Sequence, residues 1–129
     1  MPIVQSINED LGIVFSSFLG AISESDLLLS YEQLVESEKW KPGLHEIVDA
    51  REAYPNGITL NGLYNLSLFI KRHTARKCEG YKVAIITSDT TNSGLAHVYQ
   101  EFSSGLSSNV KIFKNPSKAL EWIGVMHSH

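Results

Sequence analysis

Asp49, Thr87 and Lys114 fall where the hydropathy pattern ends three successive strands. Ligands of parallel sheets bind in the crevice beyond those strand ends, so an acid, a hydroxyl and a lysine placed there could meet a bound ligand. Phosphoryl transfer there would also need a divalent cation, with carboxylates to hold it, to neutralise the transferred group's charge. The available pair, Glu9-Asp10, lies instead between two short apolar runs, in what reads as a hairpin turn. The simpler reading of Asp49 is that it accepts local backbone hydrogen bonds and pairs with Arg51. Ser88 and Asp89 complete the polar set at the same edge.

Other groups of reactive type carry less. The loop 88–94, SDTTNSG, is small and polar and opens a helix, so its N–H groups suit an anion. It has none of the glycine-lysine spacing of a phosphate-binding loop, and N-capping by Asp89, Thr91 or Ser93 accounts for it. The five histidines show no ligand spacing apart from His127 and His129 at the tail, and a structural zinc site wants four fixed ligands. Cys78 follows Arg76 and Lys77, cations of the kind that can lower a thiol pKa, but no histidine partner is implied, and an inert or modestly reactive thiol is expected. No nucleophile–base pair can be assembled. The expectation is a protein that is not an enzyme and uses no cofactor or metal.

Composition bounds the rest. The chain has 129 residues, 43% of them hydrophobic and 19% charged, enough for one domain and too apolar for disorder. No apolar run approaches the roughly 18 residues of a membrane span, no leader pattern opens the chain, and one cysteine excludes a disulfide framework. A cytoplasmic location is expected. Residues 1–64 carry 3 basic and 10 acidic side chains, a net of −7, and residues 65–129 carry 8 and 4, a net of +4; together they give the −3 of the whole chain. The split fits helix ends charged to suit their dipoles, and also a partner-binding face. An acidic chain without aromatic residues in its basic cluster (Lys71, Arg72, His73, Arg76, Lys77) is not expected to bind nucleic acid.

Hydropathy periodicity supplies the elements that would hold these residues. Ile3–Ile7 and Leu11–Leu19 read as a β-hairpin around Asn8 and Gly12. Ser23 with Asp26 forms a capping-box variant that starts a helix, striped by Leu27, Leu28, Tyr31, Leu34 and Val35 and ending near Trp40 before Pro42-Gly43. Leu44–Asp49 is a short strand, Tyr54-Pro55-Asn56-Gly57 a turn, and Thr59 the N-cap of a second helix with Leu63, Leu66 and Ile70 inward. Tyr81–Thr87 has the continuous apolar character of a central buried strand. A third helix with Leu95, Val98, Tyr99 and Phe102 on one face and a strand at Val110–Phe113 follow. Asn115-Pro116 opens a last helix, with Ala119, Leu120, Trp122 and Ile123 inward and Gly124 at its end. The order ββαβαβαβα predicts an α/β fold, a mostly parallel sheet of about five strands with an antiparallel N-terminal hairpin and helices packed on it. One domain would span residues 3–124, and residues 125–129 would be a tail.

The segments EIVDAR (Glu46–Arg51), YKVAIIT (Tyr81–Thr87), GLAHVYQEF (Gly94–Phe102) and VKIFKNPSKALEWIG (Val110–Gly124) together resemble the SpoIIAA-like proteins, small bacterial relatives of the STAS domain. The resemblance covers about residues 3–124. In anti-sigma-factor antagonists of that fold, a partner kinase phosphorylates a serine in an Asp-Ser-Ser-Gly stretch at the start of the second helix, and the added charge breaks a protein interface. The matching positions here are Thr59-Leu60-Asn61-Gly62: the glycine is kept, and leucine and asparagine replace the two serines. The resemblance therefore implies regulatory binding without the usual phosphorylatable serine. The surface it points to runs from Tyr54 through Thr59 and Asn61 to Tyr64, with Asp49 and Arg51 beneath. The expected occupant is a protein partner or a second copy in a homodimer. A small apolar ligand, carried as in the similar Sec14/CRAL-TRIO lipid-binding lobe, is the alternative.

Overall fold

A computed structural model describes residues 2–41, 44–74, 81–88 and 108–124. Five strands, β1 (Ile3–Asn8), β2 (Ile13–Ile22), β3 (His45–Pro55), β4 (Tyr81–Ile86) and β5 (Ser108–Phe113), lie side by side in chain order. β1 and β2 are antiparallel, and every later neighbour is parallel. Among the described residues three helices accompany them: α1 (Glu24–Glu36), α2 (Leu60–Thr74) and α3 (Pro116–Ile123). The third helix expected around Leu95–Phe102 and the residue Asp89 lie outside the described residues, as does Pro42-Gly43.

Local chemistry explains where each element begins. The β1–β2 turn closes because Asn8 accepts twice, through its carbonyl from Gly12 N–H at 2.9 Å and through Oδ1 from Leu11 N–H at 3.0 Å. Gly12 sits at φ +68°, in the left-handed region that suits a residue without Cβ. α1 starts on the capping box expected from sequence: Ser23 Oγ accepts from Asp26 N–H at 3.1 Å, and Asp26 Oδ2 accepts from Ser23 N–H at 2.9 Å. It ends at Glu36, earlier than Trp40, because Ser37 turns to extended backbone and its N–H closes on Leu34 O. α3 starts on Asn115, whose Oδ1 accepts from Ser117 N–H at 2.7 Å, and stops at the left-handed Gly124.

β3 is much longer than the six residues its apolar run suggests. It continues through Arg51 and Glu52 to Pro55 because β2 extends to Ile22 alongside and supplies partners as far as Ile22↔Pro55. Between Ser17 and Leu19 on β2, β3 advances from Asp49 to Glu52, one residue extra, so it carries a bulge there. The turn of the Tyr54–Gly57 stretch is confined to Asn56-Gly57.

The two faces of the sheet are covered differently. Right-handed crossovers between strands that step in one direction must fall on one face, and α1 and α2 do. On that helical face Leu27 of α1 and Leu66 of α2 pack with Ile3, Phe18, Ile22, Val48, Ala50, Ala53, Val83 and Ile85. The opposite face has α3, whose Ala119 and Ile123 pack on Ile13, Ile47, Ala84 and Ile86. Trp122 closes that end: its ring lies 5.7 Å from Phe113 and under the Lys82 and Lys111 ammonium groups, at 5.3 and 5.7 Å from the centroid.

Candidate functional site

Strand parity divides the candidate residues. Val48 and Ala50 point to the helical face, so Asp49 and Arg51 point to the other. They are not beneath the Tyr54–Tyr64 surface; the thickness of the sheet separates them from Thr59, Asn61 and Tyr64. Two sites result.

On the α3 face, Asp49 and Arg51 form a two-pronged ion pair, Nε to Oδ1 at 2.9 Å and one terminal nitrogen to Oδ2 at 2.7 Å, with Arg51 N–H also reaching Oδ1 at 3.2 Å. The Arg51 hydrogen bonds hold the Asp49 carboxyl below its ordinary range, against a smaller opposing effect of burial. Both side chains are about two-fifths exposed, so the pair is worth a few tenths of a kcal/mol, up to about 1. Ser88 Oγ donates to Arg51 O at 3.0 Å and ties the end of β4 to the bulge. Beside the pair an open groove of about 360 Å³ runs over Val4, Phe15, Ile47 and Ile86 to Pro116 and Leu120. Among the described residues it lies between β1 and the start of α3, which has only eight residues and reaches β2 at Ile13.

Thr87 and Lys114 do not turn this edge into a phosphate-accepting site. Thr87 is wholly buried, and among the described residues its Oγ1 has no partner, while its N–H goes to Phe113 O at 2.8 Å. Glu9 and Asp10 lie in the turn before β2, at the opposite end of the parallel strands from Asp49.

On the helical face, Thr59 caps α2, its Oγ1 accepting from Gly62 N–H at 3.0 Å. Glu24, the first residue of α1, reaches the same point. Its Oε2 accepts from both the hydroxyl of Thr59, at 2.6 Å, and the Thr59 backbone N–H. These bonds, the hydroxyl first, hold the Glu24 carboxyl below its ordinary value. A Cβ on residue 62 would collide with that carboxyl group. Gly62 is thus the space in which an acid of α1 occupies the positive end of α2. Sequence reasoning kept Gly62 as a motif match but missed Glu24, because the two are brought together only by the parallel packing of α1 and α2.

From this junction the outer surface is apolar at several positions. Tyr64 and Leu68, one turn apart on α2, are 55% and 39% exposed, and Leu28 and Leu29 on α1 are exposed as well. Tyr54 is half-exposed at the carboxyl end of β3. Leu28 was expected in the buried stripe, but Leu27 and Ser30 take the inward positions of that turn.

A further group escaped the sequence reading. Glu46 is buried on the helical face, where it accepts from Ser16 Oγ at 2.9 Å and Tyr31 OH at 3.1 Å, and Gln5 Nε2 donates to Ser16 Oγ at 3.2 Å. Burial, outweighing these hydrogen bonds, raises its carboxyl above the ordinary value. Among the described residues no cluster of three His, Cys, Asp or Glu side chains is arranged to hold a metal. No described helix is long and apolar enough to cross a membrane.

Comparison with solved structures bears on the whole arrangement. An uncharacterised DUF3478-family protein from Shewanella loihica PV-4, itself described as having a SpoIIAA-like fold, superimposes with a TM-score of 0.58 over 94% of this chain and 91% of its own, at 16% identity. This chain has a SpoIIAA-like fold. No family profile and no curated protein matches the sequence. The resemblance read from EIVDAR, YKVAIIT and the strand–Asn-Pro–helix segment is therefore correct at the level of fold.

Proposed function

We propose that the chain is a non-enzymatic, STAS-like interaction module whose partner-binding surface is the outer side of α1 and α2 around the Thr59 cap. One observation carries the reading. The large apolar side chains Leu28 and Leu29 of α1 and Tyr64 and Leu68 of α2 are each more than a third exposed, on two helices joined at Glu24 and Thr59, and exposed apolar groups favour contact with another protein. Thr59 is occupied by its own capping bond and by Glu24, so its hydroxyl is committed to structure. The module then binds without a serine to phosphorylate at positions 60 and 61. Asn61 lies at the same end, whereas Tyr54, next to the inward Ala53 and paired with Ala21, points to the α3 face and is not part of this surface.

The test is affinity capture from the native host with the full chain, in parallel with the double variant Tyr64→Asp, Leu68→Asp. A protein recovered in stoichiometric amount by the native chain and lost with the variant supports the reading. The same proteins on both baits, or none in stoichiometric amount, overturns it. Circular dichroism controls for folding, since both positions are exposed.

A further inference from the structure

The edge of the sheet at β1 carries its own information. Pro2 O accepts from Leu19 N–H at 2.8 Å. With the register Ile3↔Phe18 through Asn8↔Ile13, this makes Val4, Ser6 and Asn8 the residues that exchange hydrogen bonds with β2. Ile3, Gln5 and Ile7 turn their N–H and C=O groups outward instead. Among the described residues nothing pairs with them. Open edges are normally guarded by charge, proline or a bulge, and Ile3–Asn8 has none of the three, whereas β5, the other edge, contains Lys111. Val4 is 55% exposed.

We infer that β1 pairs antiparallel with β1 of a second copy, about a two-fold axis through Gln5, giving one continuous sheet across the dimer. The strand is self-complementary about that point. Gln5 meets Gln5, Ile3 meets the partner's Ile7 on the helical face, and Val4 meets the partner's Ser6 on the α3 face. The outward groups of three residues from each copy make about six ladder hydrogen bonds. The contact is isologous, so it closes at two copies and leaves no further β1 edge. It also joins the two α3-face grooves at their Val4 ends. This inference specifies the self-association open to an interaction module and uses a surface separate from the helical one.

The experiment compares three full-length chains by light-scattering mass over concentrations from about 1 to 500 µM, because a contact of one strand per copy is small. The native chain should rise toward twice the 14.3 kDa chain mass. Val4→Lys with Ser6→Lys sets lysine opposite lysine on both sides of the axis and should hold the single-chain mass throughout. Val4→Lys with Ser6→Glu sets lysine opposite glutamate and should recover the doubled mass. Amide exchange at Ile3, Gln5 and Ile7 should be slow in the dimer and fast in the Lys/Lys chain, with Val4, Ser6 and Asn8 slow in both. A native chain at single mass over the whole range, a doubled mass in the Lys/Lys chain, or no recovery in the Lys/Glu chain overturns the inference. None of these outcomes changes capture through Tyr64 and Leu68.

Discussion

Glu46 and Asp49 stand three residues apart on β3, are both acids, and titrate in opposite directions. Glu46 points under α1, where burial raises its pKa and the hydroxyls of Ser16 and Tyr31 donate to it. Asp49 points to the face that α3 leaves open, where Arg51 lowers its pKa. The difference teaches how the molecule divides its work. One face is covered by helices of 13 and 15 residues and holds the larger share of the buried core; among the described residues the other has a helix of 8 residues and keeps a groove and a solvated ion pair.

The strongest way to break that contrast is to empty each core in turn. Leu27→Ala on the helical face should cost about 3 kcal/mol, within the range for a fully buried leucine, and Ile123→Ala under α3 about 2 kcal/mol, because it lies next to solvent and can relax. Urea unfolding midpoints check both, and equal losses would mean that the two faces are equally closed. Next comes Glu46→Gln. A carboxyl whose folded pKa lies above its unfolded value contributes full stability below the ordinary value of 4.5 and loses it as pH rises through the folded value. The variant should therefore match the native chain in acid and exceed it by on the order of 1 kcal/mol at neutral pH. Melting temperature against pH measures the separation of the two curves.

Smaller effects sharpen the comparison. Gly62→Ala should lower the melting temperature because its Cβ meets the Glu24 carboxyl. In a Glu24→Ala background the same change should raise it, by the roughly 0.5–1 kcal/mol that alanine holds over glycine within a helix. A sign that does not reverse would remove Glu24 from the α2 start. His45 adds a pH effect at the other end of β3: its Nδ1 accepts from Lys82 N–H at 2.9 Å, and burial followed by Lys82 lowers its pKa. Its contribution is present above its unfolded value of 6.5 and lost as pH falls through the folded value, so His45→Gln should flatten the stability curve below that pH. Asp49→Asn should be smallest, a few tenths of a kcal/mol and reduced further by salt.

Much of the fold was legible because its signals are local. The Ser23–Asp26 box, the Asn115-Pro116 start and the apolar run of β4 each depend on residues within a few positions of one another, and each element stands where those signals place it. Element ends were less legible. β3 reads as six residues because Arg51 and Glu52 are polar, and it extends because β2, far away in sequence, offers it a ladder. The candidate site was legible as a set of residues and not as an arrangement. Asp49 with Arg51 was readable as a pair, since only one residue separates them, but the face they share was not.

By itself the sequence determined what periodicity and capping can encode: an α/β order, a hairpin followed by crossovers, and a cap at Thr59. Tertiary structure alone decided which side of the sheet each residue serves, since a one-residue shift in a strand reverses its face and the bulge after Asp49 resets that count. It also brought Glu24 over Gly62 across 38 positions, and left Ile3, Gln5 and Ile7 with their backbone groups turned outward. Those relations depend on where other strands and helices lie, and short-range chemistry holds no record of that.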